Sequence, residues 1–210
     1  MEALNSLGAL LGGSWASGVN LYLTVAVLGI AQRAGIVELP GNLDSISNLF
    51  VISVASLLYL VEFVADKVPY VDSAWDSVHT FIRPLGSAAM AYMASSDVGP
   101  ALQVPMALLS GTVAMDSHLT KATARMAINT SPEPITNSVA SVSEDAMVVG
   151  VIWLAIQHPV IASIAVILFI IFSIWFLKMM FGFLKKVFRF LSGNNEKRGA
   201  ADEKLQTLNS

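Results

Sequence analysis

Two carboxylates, Glu144 and Asp145, stand side by side inside the apolar run 138–156. At a rise of about 1.5 Å per residue they lie about 9 to 10 Å from the start of that run, well inside a bilayer. An ionised side chain there costs at least about 2.5 to 3.5 kcal/mol, so acids at that depth need a proton, a cation or a fixed counter-charge. Adjacent residues project about 100° apart on a helix, which sends at least one of the two into the protein interior. A second set follows one helix face: Asp72, Asp76, His79 and Arg83 fall at i, i+4, i+7 and i+11, with Trp75, Val78, Phe81 and Ile82 on the opposite side. Glu62, Asn20, Asp116, His118, Lys121 and Arg125 complete the polar residues embedded in apolar sequence. Reversible binding of a proton or small cation is the chemistry these types support. Glu144, Asp145, Asp76, His79, Asp116, Glu62 and Asn20 would form the site, and Arg83, Lys121 and Arg125 would serve as counter-charges.

Blander readings stand beside this one. Asp66, Lys67 and Asp72 fit a solvated interfacial turn, and Arg83 fits a structural ion pair with Asp76. Tyr22, Tyr59, Tyr70 and Trp75 lie near expected span ends and read as interface anchors. Asp76, His79, Asp116 and His118 offer oxygen and imidazole ligands for a divalent metal, although their spacing matches no specific signature. No glycine-rich nucleotide loop, serine nucleophile elbow or HExxH motif is present. The absence of cysteine excludes disulfides and thiolate chemistry.

The chain that must position these groups is 55% hydrophobic and 13% charged, with a mean hydropathy of +0.66, against about 25% charged residues in soluble domains. That composition predicts an all-α membrane helix bundle. Residues 3–13 and 21–35 read as two pieces of an interrupted or re-entrant span, separated by Gly12, Gly13, Ser14, Ser17, Gly18 and Asn20. Further spans are expected over 47–65, 73–95 (with a weak point at Pro84-Leu85-Gly86 and small residues suited to close packing), 99–128 (with a break at Ser110-Gly111), 138–156 and 160–177. Seven of the twelve Lys and Arg lie from Lys178 onward, which predicts a cytoplasmic carboxyl terminus and, with six spans, a cytoplasmic amino terminus. The same basic cluster, beside Phe181, Phe183, Leu184, Phe188 and Phe190, suits contact with membrane lipid rather than nucleic acid. The first residues lack the basic stretch of a secretory signal peptide. Residues 1–191 are expected as one membrane domain and 192–210 as a disordered cytoplasmic tail.

Ala9-Leu10-Leu11-Gly12-Gly13 recurs as Ala107-Leu108-Leu109-Ser110-Gly111, and Asn20–Ala26 recurs as Asp116–Ala122, with offsets of 98 and 96 residues. Three spans per copy would insert the second half (about 99–191) upside down relative to the first (about 3–96), as in many secondary transporters.

The blocks NLYLT, EFVADKVPYVDSAWDSVHTFIRPLG, SHLTKATAR, SPEP and SVSED together resemble the bacterial membrane-protein family filed as domain of unknown function 4126. The resemblance covers about residues 10–155 and omits the final span and tail. It implies a small multispanning protein of the bacterial inner membrane and carries no established activity. Seven embedded acids against four embedded bases, Lys67 included, make a cation- or proton-linked transporter or channel the leading expectation, with a small ion or solute as its partner and a homodimer as one way to complete a pathway. The alternatives are a metal-dependent intramembrane enzyme acting on a lipid head group and a non-catalytic membrane scaffold subunit. Transport is favoured over catalysis.

Overall fold

A computed structural model describes residues 2–129 and 134–208, and among these it contains helices and no strand. The helices are α1 (Glu2–Val19), α2 (Leu21–Arg33), α3 (Leu49–Ala65), α4 (Pro69–Ala94), α5 (Pro100–Asn129), α6 (Pro134–Gln157) and α7 (Pro159–Leu208), with short 3-10 helices at Gly41–Ser47 and Ser96–Val98. The four helices α4 to α7 each begin on a proline. That position suits the residue, since its missing N–H would lack a helical partner there and its fixed φ is already helical. α3 is started by Asn48, whose side chain accepts from Phe50 N at 2.8 Å.

The chain divides into two compact units, residues 1–173 and 174–210. In the first, α1 packs against α4, α5 and α6, α4 lies along α5, and α2 lies against α3. Leu11, Trp15, Ala16, Val19, Val113, Val148, Ile152 and Val166 form its apolar core. Close approach of α1 and α5 depends on Gly18, where a Cβ would fall onto the Ser117 hydroxyl and the Ala114 carbonyl. One turn away, Ser14, Ser110 and Ser87 from α1, α5 and α4 join their buried hydroxyls, Ser14 to Ser110 at 2.7 Å and Ser87 to Ser110 at 2.8 Å. This is the small-residue packing by which membrane helices approach one another. The second unit is helical through Leu208, past Ser192, where composition alone suggests disorder.

The expected break in the first span exists, but it falls at Asn20 rather than among the glycines. Asn20 takes an extended backbone (φ −151°, ψ 98°), and its side-chain oxygen accepts from Leu23 N at 3.0 Å to cap α2. The matching break at Ser110-Gly111 is absent, because α5 runs unbroken through it with Ser110 held by Ser14 and Ser87. α4 likewise passes through Pro84 as one helix. Two helical stretches, Ile135–Gln157 and Pro159–Phe183, are long and apolar enough to cross a membrane, or three if the pair Gly41–Ser47 and Leu49–Ala65, bent by 70°, counts as one. Such helices mark a membrane protein. The six expected spans are not reached on that measure, since α4 and α5 carry charge and α1 and α2 divide one length between them. Residues 130–133, which hold most of the SPEP motif, and the side chains of Tyr70, Leu184 and residues 186–190 lie outside the described residues.

Gly18→Val should therefore lower the thermal midpoint of the detergent-purified protein, by an overpacking cost of about 1 to 3 kcal/mol. Gly13→Ala, where the added methyl meets nothing within 4 Å, should leave the midpoint unchanged.

Candidate functional site

Ending α1 at Val19 exposes the carbonyls of its last turn, which have no helical partner and carry the negative end of the helix dipole. Two cations occupy that end. Arg83 Nη1 donates to Gly18 O at 3.2 Å, and Lys121 Nζ donates to Val19 O at 3.3 Å. Helical periodicity brings both groups there: the buried stripe Asp72, Asp76, His79, Arg83, Ser87 runs along α4, and Ser117, His118, Lys121, Arg125 runs along α5. On the outer side of α4, Val78 and Phe81 are 60% and 70% exposed, so the two faces separate as their spacing predicts.

Around these cations the carboxylates converge. Arg83 Nη2 meets Glu62 at 2.9 Å and Asp76 at 3.3 Å. Lys121 meets Asp66 at 3.3 Å, Glu144 at 3.4 Å and Glu62 at 3.6 Å. Arg125 holds Glu144 through both nitrogens of one fork, Nε at 2.9 Å and Nη2 at 2.8 Å, and reaches Asp66 at 3.3 Å. The bidentate geometry is the strongest form of such a pair. Arg125 Nη1 also donates to the Asn137 and Asp66 carbonyls. Four carboxylates and three cations from α3, α4, α5 and α6 thus form one continuous cluster, its side chains between fully buried and 14% exposed.

The histidines adjoin the cluster, His118 as a neutral group. A guanidinium has no lone pair to offer, so the 2.8 Å contact from Arg83 Nη1 makes His118 Nδ1 an acceptor. The proton of His118 then sits on Nε2 and is donated to Thr80 Oγ1 at 3.0 Å. His79 donates from Nδ1 to Trp75 O at 2.7 Å, stacks on the Trp75 ring, and receives Tyr22 Oη at Nε2 over 2.9 Å.

Glu144 and Asp145 divide as their angular separation requires, and their roles differ from a shared ion site. Glu144 is taken by Arg125 and Lys121, whereas Asp145 turns toward α2 and α3. There its Oδ1 accepts from Asn20 Nδ2 at 3.1 Å and its Oδ2 from Tyr59 Oη at 2.9 Å. Asp145 lines an open cavity of about 740 Å³ with Leu23, Tyr59, Phe63, Val142, Ala146, Val149, Gly150 and Trp153.

Other expectations are corrected. Asp66 and Asp72 are not solvated, being 2% and 0% exposed. Asp66 belongs to the cluster, and Asp72 accepts from Asn129 at 2.9 Å. Lys67 stays at the rim, donating to Phe63 O, with its Nζ 2.9 Å from the centre of the Phe63 ring. Desolvation there lowers its pKa, while Asp66 and Asp145 act in the opposite sense. Asp116 faces α7, where Ser173 donates to it at 2.7 Å. Asp76, His79, Asp116 and His118 therefore do not assemble, and among the described residues no group of three or more such side chains could hold a metal ion. Tyr22, Tyr59 and Trp75 partner titratable groups. Thr80, Asn137 and Ser173 escaped notice because single hydroxyls and amides in apolar sequence carry no spacing signal.

Removing Arg83 leaves Glu62 and Asp76 buried without their nearest cation. Arg83→Met should destabilise the folded protein by about 3 to 5 kcal/mol, read as a fall in thermal midpoint in detergent. Adding Glu62→Gln should recover part of that loss.

No curated protein and no solved structure matches the chain. A family model described as Domain of unknown function (DUF4126) matches residues 7–179, which extends the resemblance through the membrane-crossing part of α7. With most of its length covered, this chain belongs to the DUF4126 family.

Proposed function

We propose that this protein moves protons or a small cation across a membrane, using the excess of carboxylates in its charged core. One observation carries the reading: the interior charge does not balance. Four carboxylates share three cations, while Asp72, Asp116 and Asp145 form no ion pair among the described residues. Glu62 Oε2, Asp66 Oδ1 and Asp72 Oδ1 are buried without a hydrogen-bond partner. Uncompensated carboxylates in a low-dielectric interior favour uptake of a proton or a cation.

In this reading Arg83, Lys121 and Arg125 are fixed counter-charges, tied in part to the broken end of α1. Glu62, Asp66, Asp76 and Glu144 surround those counter-charges, and Asp145 serves the path along α2, α3 and α6. The α1–α2 pair, α3, α4, α5, α6 and α7 would make six crossings, with the basic stretch after Lys178 on the cytoplasmic side of a bacterial inner membrane. An inverted relation of the halves rests on the recurring sequence blocks alone and is weakened by the unbroken α5.

The dense pairing of the cluster favours a second reading, a scaffold that turns nothing over. Reconstituted proteoliposomes separate the two. Wild-type protein should dissipate an imposed proton, sodium, potassium or choline gradient faster than empty vesicles. Asp145→Asn should cut that rate at least tenfold without shifting the thermal midpoint, and Asp97→Asn, on the exposed turn after α4, should not change it. Folded protein that dissipates none of the four gradients would leave the scaffold reading standing and end the transport one.

A further inference from the structure

Asp145 lies about midway along α6 and makes no ion pair among the described residues. A carboxylate accepts at about four lone-pair positions. Two donors reach this one, the Asn20 amide and the Tyr59 hydroxyl, each on a different oxygen. The remaining capacity opens onto the cavity of about 740 Å³, whose other walls are apolar and aromatic. Asp145, Tyr59 and the indole N–H of Trp153 are the polar side-chain groups in its lining.

That lining decides which cation it suits. A sodium, magnesium or calcium ion sheds its water only in exchange for several oxygen ligands, about six to eight for calcium, and one carboxylate with one phenol cannot supply them. A quaternary or alkylated ammonium needs no such shell. It is held by one nearby negative charge and by the faces of aromatic rings, and recognition of choline-like groups by aromatic cages works this way. Tyr59, Phe63 and Trp153 put three rings into the same lining as the acid, with the Tyr59 and Phe63 centres 6.0 Å apart and Trp153 about two helical turns along α6 from Asp145. One face of Phe63 is already covered by the ammonium of Lys67, which leaves its other face and the rings of Tyr59 and Trp153 to a ligand.

We infer that the cavity between α2, α3 and α6 is a binding site for an organic ammonium group, with Asp145 as its counter-charge and Tyr59, Phe63 and Trp153 as its aromatic walls. The inference names a substrate class for the transport reading and rests on that reading only for movement across the membrane. Binding stands without it. The ammonium belongs either to a free organic cation or to the head group of a zwitterionic lipid, which present the same chemistry.

The test is calorimetric titration of the full-length protein in nanodiscs of phosphatidylglycerol, using choline and its uncharged carbon isostere 3,3-dimethylbutan-1-ol. Choline should bind saturably and the isostere at least tenfold more weakly. Asp145→Asn, which keeps the shape and a hydrogen-bonding group beside Asn20 and Tyr59, should abolish choline binding. Trp153→Leu, at a side chain 58% exposed, should weaken it at least tenfold with an unchanged thermal midpoint. Repeating the titration in nanodiscs containing phosphatidylcholine identifies the source: competition assigns the lipid head group, and its absence a free cation. Equal binding of choline and the isostere would overturn the proposal. So would choline binding that survives Asp145→Asn, or no choline binding in the phosphatidylglycerol nanodiscs. Choline binding without flux in proteoliposomes would overturn the transport reading and leave the site.

Discussion

Everything in the first unit is arranged around the end of α1. A helix that stops inside a bundle leaves carbonyl groups that water cannot reach, and here two cations from different helices satisfy them. Those cations, once desolvated, need carboxylates. α3 and α6 supply Glu62, Asp66 and Glu144, and α4 adds its own Asp76. Gly18 lets α5 come close enough for Lys121 to reach Val19 O, so backbone break, helix contact and charge cluster are parts of one solution. Asn20 links this centre to the cavity: its oxygen caps α2, and its amide holds Asp145.

Two neighbouring acids show how a shared sequence position acquires different chemistry. Glu144 is held by an arginine fork in a bidentate pair and has a structural character. Asp145 points away from the guanidinium and meets only neutral donors. The sequence treats them as equals, and the helix separates them.

Legibility followed the kind of signal. The stripe of α4 could be read because four polar residues at helical spacing in apolar sequence share one face, and the burial of that face matches. The break near residue 20 was legible from clustered small residues, although its position was not: Gly12, Gly13 and Gly18 serve a straight helix, and a side-chain cap at Asn20 ends it. The break in α5 was misread for the same reason, since Ser110-Gly111 has packing partners that no local pattern reveals. Asp66 looked solvated because it follows the apolar run of α3 and precedes Pro69, while the groups that bury it, Lys121 and Arg125, lie more than fifty residues away in sequence. Pairing across the bundle is tertiary information, and so are the assignments of Tyr59 to Asp145 and Tyr22 to His79.

The short turn from Asp66 to Val68 between α3 and α4 has a bearing on biogenesis. If α4 crosses the bilayer, as the six-crossing proposal has it, α4 taken alone would bring Asp72, Asp76 and Arg83 into hydrocarbon, at a cost of about 2.5 to 3.5 kcal/mol for each charge near the centre. Its most intimate partner, Glu62, sits one turn before the end of the preceding helix. Neutralisation of Arg83 is therefore available as soon as the two helices leave the ribosome as a hairpin, before α5 has been synthesised. On that proposal the nascent chain would present α3 and α4 to the membrane together, and the later helices would dock onto a pair whose central guanidinium is already neutralised.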